Sequence, residues 1–242
     1  MRALAFHTER LHDDRVWKRL LLILAIMRRL GSRATFFIYP YRAVVEGRDI
    51  SDRVRALAVD HKQEIGQHTH FYAGRSLRKP DKRNDLSPEN VRNCIERDFE
   101  WLCRISKPNG FTSGGWIVTD AVYPALMNLG FDYDCSARVP ALRKGREAGP
   151  NLWLTEAEKR FIQDRPLILV PTTHTLKNRL LGKRRLTSPL QAGTEYQLVY
   201  LHDYDLLRPR VFLGLSLALM ASRTFLCVDH LARKFSQGES GG

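Results

Sequence analysis

The stretch RALAFHTERLHDDRVWKRLLLILAIMRRLGSRATFFIYP, residues 2–40, decides the fold class. Residues 2–6 are a short apolar segment that predicts a strand. Residues 16–30 are mostly apolar with basic residues at both ends, which predicts a helix, and Gly31 stands where a glycine commonly ends one. Residues 34–39 are a β-branched and aromatic run, typical of a buried strand. A strand, a helix and a strand in this order predict a parallel pair, because parallel neighbours need a crossover connection.

The same alternation continues to the end of the chain. Further strands are predicted at residues 64–66, 114–118, 131–135, 166–170, 196–201 and 225–228. Further helices are predicted at residues 51–60, 88–105, 120–129, 207–222 and 230–235. Three segments are predicted as connections: a polar one at residues 80–86, a long loop at 139–165 with a helical turn at 156–161, and a basic one at 177–193.

This order of elements predicts an α/β fold, because alternating strands and helices build a mainly parallel sheet covered by helices. Seven or eight short strands in 242 residues favour a single-domain distorted (β/α) barrel of parallel strands over residues 1–235, with a disordered tail at 236–242. An open doubly wound sheet is the alternative, but no Gly-x-Gly-x-x-Gly follows the first strand to support a dinucleotide site.

The composition is that of an ordinary globular protein, with 43% hydrophobic and 27% charged residues, which excludes a disordered or collagen-like chain. The longest strictly apolar run, residues 20–27, is far shorter than the ~20 residues that cross a bilayer. The N-terminus lacks the apolar segment and cleavage site of a secretory signal, so we expect a cytoplasmic protein. The four cysteines form no Cys-x-x-Cys pair, which argues against a thiolate zinc site.

The net charge of +13 favours anionic partners. The densest basic stretch is residues 177–185, which includes Lys183, Arg184 and Arg185. We interpret this stretch as a contact for a phosphate-bearing sugar or an anionic membrane surface, and a solvated arginine-rich surface is the alternative. It carries no interleaved aromatic residues and no nucleic-acid motif, so no nucleic-acid partner is expected.

Histidines lie at the ends of four predicted strands. They are His7, the pair His68 and His70, His174, and His202. In a (β/α) barrel the carboxyl ends of the strands form the rim that carries the active site. We therefore predict that these imidazoles gather at one end of the barrel.

Two short motifs favour metal binding at this rim. Residues 68–70, His-Thr-His, place two imidazoles on one side of an extended segment, and residues 7–9, His-Thr-Glu, place an imidazole and a carboxylate likewise. Imidazole and carboxylate groups are typical ligands of catalytic zinc. The alternative for Glu9 is a surface ion pair with a nearby arginine.

The chain resembles the polysaccharide deacetylases, carbohydrate esterase family 4, in a series of motifs between about residue 2 and residue 235. The similar segments are 3–9 (ALAFHTE), 31–37 (GSRATFF), 64–70 (EIGQHTH), 110–115 (GFTSGG) and 201–203 (LHD). The Ala-Thr-Phe-Phe of the second segment is the most specific of these signatures.

The resemblance implies that the protein is a metal-dependent hydrolase that removes an acetyl group from an N-acetylated sugar. It implies a divalent metal, with zinc as the expected ion, bound by Glu9, His68 and His70. His7 takes the position of the catalytic base or is a further metal ligand, and His202 takes the position of the general acid. An imidazole suits either role because its ordinary pKa is ~6.5.

Four positions depart from the usual pattern of the family. His7 stands where the family has its catalytic aspartate, and Thr8 stands where it has a metal-binding aspartate, with Glu9 as the nearest acid. Thr112 stands where the family has an arginine. The second metal histidine usually falls near Tyr72, so His70 is predicted to replace it. Tyr72, Thr112, Trp116 and His174 are predicted to bind the substrate, with Tyr72 and Trp116 as walls for a sugar ring. Asp203 or Asp205 is expected to orient His202.

These features predict a cytoplasmic N-deacetylase acting on a small, phosphate-linked or lipid-linked sugar precursor, with peripheral contact to an anionic membrane. The first alternative is a barrel of the same fold that has lost catalysis and binds carbohydrate. A basic nucleic-acid-binding protein ranks last.

Overall fold

The computed structural model describes residues 1–41, 47–74, 81–143, 149–162, 164–176, 196–221 and 224–237. The strands are β1 Arg2–Thr8, β2 Thr35–Ile38, β3 Glu64–Thr69, β4 Tyr72–Gly74, β5 Asp81–Asn84, β6 Gly110–Ser113, β7 Tyr133–Asp134, β8 Glu158–Ile162, β9 Arg165–Leu169, β10 His174–Thr175 and β11 Gln197–His202. The helices are α1 Asp14–Arg29, α2 Ser51–Arg55, α3 Pro88–Cys103, α4 Val122–Leu129, α5 Pro209–Ala221 and α6 Val228–Gln237. A π-helical turn, Ala56–Asp60, continues α2, and 3₁₀ turns occur at Gly114–Trp116, Pro140–Leu142 and Asp203–Leu207.

Nine strands form one curled sheet in the order β10–β11–β1–β2–β3–β6–β7–β9–β8. Every neighbouring pair is parallel except β8 and β9, which are antiparallel. The described part of the sheet therefore contains eight parallel strands, and the prediction of a distorted barrel of seven or eight parallel strands is confirmed.

One continuous stretch, residues 165–175, closes the sheet into a barrel. Its first part is β9, which pairs with β7, and Val170 N–H continues that pairing by donating to Asp134 O. Its last part is β10, which pairs with β11, and Thr173 N–H already donates to Leu198 O. The stretch thus pairs with β7 at its start and with β11 at its end, which joins the two sides of the curled sheet, and a parallel bridge from Thr172 to Arg138 lies between these pairings.

Both faces of the central strands are buried, as expected for a parallel sheet. Alternate residues of β1 and β2, such as Leu4 and Phe36, pack outward in one cluster with α1 and α5. The intervening residues, such as Ala5 and Phe37, point into the barrel and pack with Leu231 of α6. Helix α6 therefore closes the amino end of the barrel, and the carboxyl end is left to carry a site.

Local sequence signals set the ends of several helices. The Ser87 hydroxyl accepts a hydrogen bond from Asn90 N at 3.4 Å, and Pro88 follows as the first helical residue of α3. Gly130 ends α4 in the left-handed conformation with φ of 77°. These boundaries agree with the sequence prediction.

Four local predictions are wrong. The strand predicted at residues 114–118 is β6 at Gly110–Ser113, and the helical turn predicted at 156–161 is strand β8. The connection predicted at 80–86 contains β5, which pairs with β4. The strand predicted at 225–228 is reduced to one bridge, Ala3 to Leu226. The positions of β6 and of the Leu226 bridge depend on pairing with distant segments. Strands β8 and β5 instead pair with nearby segments, β9 and β4, which local composition did not indicate.

The last helix reaches Gln237, so the first two residues of the predicted tail are helical, and residues 238–242 lie outside the described residues. The basic connection predicted at 177–193, with its basic stretch 177–185, also lies outside them. Within the described ranges, every helix is too short or too polar to cross a membrane.

Candidate active site

The parallel strands bring their carboxyl ends, and the predicted histidines, to one end of the barrel. His7 of β1 is in register with His202, the last residue of β11. His68, near the end of β3, is in register with Thr112 of β6. Glu9 follows β1 directly. The predicted gathering of imidazoles at the rim is therefore observed for these residues.

Glu9, His68 and His70 converge on one point. The Glu9 Oε1 atom lies 3.6 Å from His68 Nε2 and 3.4 Å from His70 Nε2. One candidate ligand atom from each residue lies within 4.8 Å of the others. The three side chains are thus placed to share one ion.

The hydrogen bonding of His68 suits a metal ligand. Its Nδ1 lies 3.1 Å from the carbonyl oxygen of Thr112. Because a carbonyl only accepts, Nδ1 carries the hydrogen, and the lone pair is on Nε2. That Nε2 is buried and has no hydrogen-bond partner among the described residues. Burial lowers the pKa of His68 below its ordinary value, which keeps the ring neutral. A backbone carbonyl behind the ring is a common support for a metal-bound histidine.

Glu9 is held as a carboxylate. Burial alone would raise the pKa of its carboxyl group, but the interactions with His68 and His70 outweigh burial and lower the pKa well below its ordinary value. A neutral imidazole with a free lone pair beside an ionised carboxylate is a donor set that fits a divalent cation.

Asp203 holds the backbone that carries Glu9. One oxygen of its fully buried carboxyl group accepts from Glu9 N at 3.2 Å and from Tyr204 N at 2.8 Å. The other oxygen accepts from Arg10 N at 2.9 Å. Burial raises the pKa of Asp203 to about 7 against the effect of these hydrogen bonds. The sequence predicts Asp203 only as a partner of His202, and its contact with the backbone of Glu9 has no local sequence signal.

Asp205, rather than Asp203, contacts His202. The His202 Nδ1 atom lies 3.6 Å from Asp205 Oδ2, which also accepts from His202 N at 3.3 Å. On the other side of the ring, His202 Nε2 lies 3.6 Å from Glu9 Oε1. The Tyr204 ring stacks on the imidazole at 4.8 Å between centroids. His202 is therefore fixed with one nitrogen facing the metal-ligand cluster.

His7 lies at the centre of a group of rings. The distances from its centroid are 4.7 Å to His68, 4.9 Å to Tyr200, 5.4 Å to Trp116 and 5.7 Å to His202. Burial, assisted by the neighbouring imidazoles of His68 and His202, lowers the pKa of His7 well below its ordinary value. His7 is consequently a neutral imidazole.

Two of the four predicted substrate residues lie beside this cluster. Trp116 contacts His7 and packs against Tyr200 at 4.8 Å, and its backbone has a left-handed φ of 61°, which is rare for a bulky residue. Tyr72 stacks on His70 at 4.9 Å.

The other two predicted residues are placed differently. The Thr112 side chain is fully buried, and its backbone carbonyl supports His68. His174 is in register with Val199, three residues before His202, which is roughly 10 Å lower along the strand. Its ring contacts the Thr173 hydroxyl at 2.7 Å, and the ring is buried below the rim.

Aromatic and cationic residues that the sequence analysis missed also surround the site. The ring centroids of Tyr39 and His70 are 4.9 Å apart, and the Tyr200 ring contacts the rings of both His7 and Trp116. The Arg138 guanidinium lies over the rings of both Trp116 and Trp153. Of these residues, only Tyr39 had a sequence signal, because it is the last residue of a predicted strand. The contacts of Tyr200 and Arg138 join distant segments and leave no local signal.

The barrel is similar to several solved structures at low sequence identity. A protein from Mycobacterium smegmatis described as a polysaccharide deacetylase has a TM-score of 0.63 at 13% identity, over 98% of this chain and 91% of that one. A carbohydrate esterase family 4 pseudoenzyme from Bacillus anthracis has a TM-score of 0.56 at 13% identity, over 96% of this chain and 65% of that one. A 4-α-glucanotransferase from Thermococcus litoralis has a TM-score of 0.59 at 12% identity, over 97% of this chain and 38% of that one.

No protein-family model matches the chain, and no curated protein matches it in sequence. The chain has the distorted barrel fold of the polysaccharide deacetylases, and the resemblance stated from the sequence is confirmed at this level. The glucanotransferase shows that barrels of this shape serve more than one reaction, so function must be argued from the site.

Proposed function

We propose that the protein is a divergent member of the polysaccharide deacetylase family, a metal-dependent hydrolase that removes an acetyl group from an N-acetylated sugar. The observation that supports this proposal is the convergence of His68, His70 and His202 on one oxygen of Glu9, each at 3.4 to 3.6 Å. A glycosyl-transferring barrel needs a pair of carboxylates at the reacting bond. Among the described residues of this cluster, only the Glu9 carboxylate is partly exposed, and the neighbouring carboxyl groups of Asp203 and Asp205 are fully buried.

Glu9, His68 and His70 are the residues that would hold the divalent ion, with zinc as the expected ion. When bound, such an ion supplies Lewis-acid polarisation of the amide carbonyl and of water. Thr112 orients His68 through its backbone carbonyl, and Asp203 orients the segment that carries Glu9.

His202 and His7 carry the proton transfers in this proposal. His202 holds a proton at Nε2 and donates it to the leaving amine, while the carboxylate of Asp205 beside Nδ1 stabilises the charged ring. His7, a neutral imidazole, accepts the proton of the attacking water at a ring nitrogen. Tyr72 and Trp116 bind the faces of the sugar, and the structure also offers Tyr39 beside His70 for this purpose.

The substrate is proposed to be an intracellular sugar precursor carrying phosphate or lipid, and the protein is proposed to work in the cytoplasm. The support is the net charge of +13 and the basic stretch that contains Lys183, Arg184 and Arg185. Replacing these three residues with glutamine should weaken association with such a substrate or with anionic membranes, most at low salt, because exposed charges are screened over ~10 Å at 0.1 M.

The experiment measures bound metal by elemental analysis and acetate release from phosphate-linked and unlinked acetamido sugars. The protein should bind one ion per chain, and His68→Ala should lose both metal and activity. His202→Ala should keep the metal and lower turnover by roughly 10²–10⁴-fold, the usual worth of a general acid. His230→Ala, which changes an exposed histidine away from the rim, is the control. Metal binding without acetate release from any acetamido sugar would favour the non-catalytic carbohydrate-binding barrel.

A further inference from the structure

Helices α1 and α5 lie side by side on the outside of the barrel. The Arg19 guanidinium lies 4.8 Å from the centroid of the Phe212 ring. The inward faces of the two helices, including Leu20 of α1 and Leu215 of α5, belong to one core cluster. Their outward faces therefore form one continuous part of the protein surface.

This outward face is unusually apolar. Leu213, Leu217 and Met220 of α5 are spaced by four and three residues, which places them on one side of the helix. They are 58%, 51% and 58% exposed, and Leu22 of α1 is 53% exposed. Helix α5 is thus apolar on the side that faces solvent as well as on the side that faces the core. A concentration of exposed apolar side chains of this kind marks an interaction surface.

The same two helices are strongly cationic. Together they carry six basic residues and one acidic residue: Arg15, Lys18, Arg19, Arg28, Arg29 and Arg210 against Asp14. Asp14 is itself ion-paired with Arg53 of α2, and Arg15 is ion-paired with the N-cap residue Asp13. The apolar side chains are therefore accompanied by a large local excess of positive charge.

We propose that the outward face of α1 and α5 is a docking surface for an anionic lipid bilayer. Leucine and methionine side chains enter the boundary between headgroups and acyl chains, while lysine and arginine side chains bind lipid phosphates. The charge excess argues against a second copy of this chain as the partner, because self-association would bring two cationic surfaces together.

The docking surface begins at the rim of the candidate site. Helix α5 starts at Pro209, directly after the Asp203–Leu207 turn that follows His202. A protein docked by this face holds its rim close to the membrane surface, where a lipid-linked sugar is presented. The docking inference does not depend on the proposed deacetylase activity, because vesicle binding is measured without any substrate.

The test is co-sedimentation of the full chain with vesicles of phosphatidylcholine alone or with 30% phosphatidylglycerol. We expect binding only to the anionic vesicles, with loss of binding in 0.5 M salt. The double substitution Leu213→Gln and Leu217→Gln should weaken binding at least tenfold. Lys18→Gln with Arg19→Gln should weaken it by ~fivefold per charge at low salt.

Matched control variants remove the same kinds of side chain, apolar and charged, from other parts of the protein surface. Phe161→Gln removes an equally exposed apolar side chain from β8, and Arg92→Gln with Arg104→Gln removes two exposed charges from the region of α3. Both controls should bind anionic vesicles like the unchanged protein.

Three results would overturn the proposal. The first is an absence of binding to anionic vesicles, and the second is binding that the α1 and α5 substitutions leave unchanged. The third is a dimer in gel filtration that Leu213→Gln with Leu217→Gln dissociates, which would assign the surface to a second copy. Circular dichroism of each variant confirms that the barrel is intact, since all the substituted positions are exposed.

Discussion

At the scale of single residues, two aspartates that are two positions apart have different tasks. Asp203 accepts three backbone N–H groups, two of them from the segment that carries Glu9. Asp205 faces the imidazole of His202. Both carboxyl groups are fully buried, so each acts through the groups it touches rather than through solvent.

Asp203→Asn should destabilise the protein and weaken metal binding. Both oxygens of Asp203 accept from N–H donors, so the amide NH₂ of asparagine would face a donor in either orientation. A buried unsatisfied group of this kind costs ~1–3 kcal/mol in unfolding free energy, which urea titration of the metal-free protein measures. Asp205→Asn leaves the Glu9 backbone contacts in place and should retain metal affinity closer to that of the unchanged protein. Equal metal affinities for the two variants would refute the role of Asp203.

Asp134 should make the stability of the metal-free protein depend on pH. Burial raises the pKa of this carboxyl group to about 7, although Ser136 donates to it from both its backbone and its hydroxyl. The folded protein therefore binds a proton that the unfolded chain has released at pH values between about 4 and 7. Stability contributed by this group is present below about pH 4 and is lost as the pH rises through about 7.

Urea unfolding of the metal-free protein at a series of pH values tests this expectation. Asp134→Asn should remove only its own share of the decline between pH 4 and pH 7, because Asp203, whose pKa is also raised to about 7, still contributes. Asp120→Asn, at an exposed position, should leave the whole decline in place. If both variants decline like the unchanged protein, Asp134 is not the group responsible.

At the scale of elements, the barrel depends on the close approach of β6 and β7. Gly110 of β6 lies under the Tyr133 ring of β7, and a Cβ atom at residue 110 would be 2.0 Å from the ring carbon Cζ. Glycine is unfavourable within a strand. At residue 110, however, it leaves the space that the Tyr133 ring of the neighbouring strand occupies.

Gly110→Ala should destabilise the protein by ~1–3 kcal/mol, because an added methyl group in a packed core forces its neighbours to shift. Thermal or urea unfolding measures the loss. The cost should become smaller in a Tyr133→Leu background, which removes the ring that the methyl group meets. An undiminished cost in that background would assign the effect to backbone conformation instead.

The elements that were predicted correctly have clear local signals, and those that were not are defined by pairing with another strand. Ser87, Pro88 and Gly130 set the ends of α3 and α4 through contacts within a few residues. Strand β8 exists because it pairs with β9, and its sequence EKRFI has no alternation that indicates burial on one face.

At the scale of the whole molecule, one end of the barrel is closed by packing and the other carries the chemistry. Helix α6 seals the amino end, where Val228 and Leu231 pack with the inward residues of β1 and β2. The Glu64 carboxylate adds a polar contact there, accepting from Asp229 N at 3.1 Å.

Leu231→Ala should cost ~2–5 kcal/mol in unfolding free energy, the usual range for a cavity left by a fully buried leucine. Lys234→Ala, at an exposed position of the same helix, is the control for helix propensity. Because α6 and the rim are at opposite ends of the barrel, the variant should retain metal binding while folded. Loss of less than about 1 kcal/mol would mean that α6 does not seal the core.

The fold class and the candidate metal ligands follow from the sequence pattern alone. Strand–helix alternation predicts a parallel barrel, and parallel strands must present their carboxyl ends at one rim, so the pattern predicts that Glu9, His68 and His70 lie together, as the structure has them. The supports of that site depend on three-dimensional packing. Asp203 lies 194 residues from Glu9, and Tyr200 meets Trp116 across the barrel. Such contacts are set by how distant strands pack, and a one-dimensional pattern carries no record of that packing.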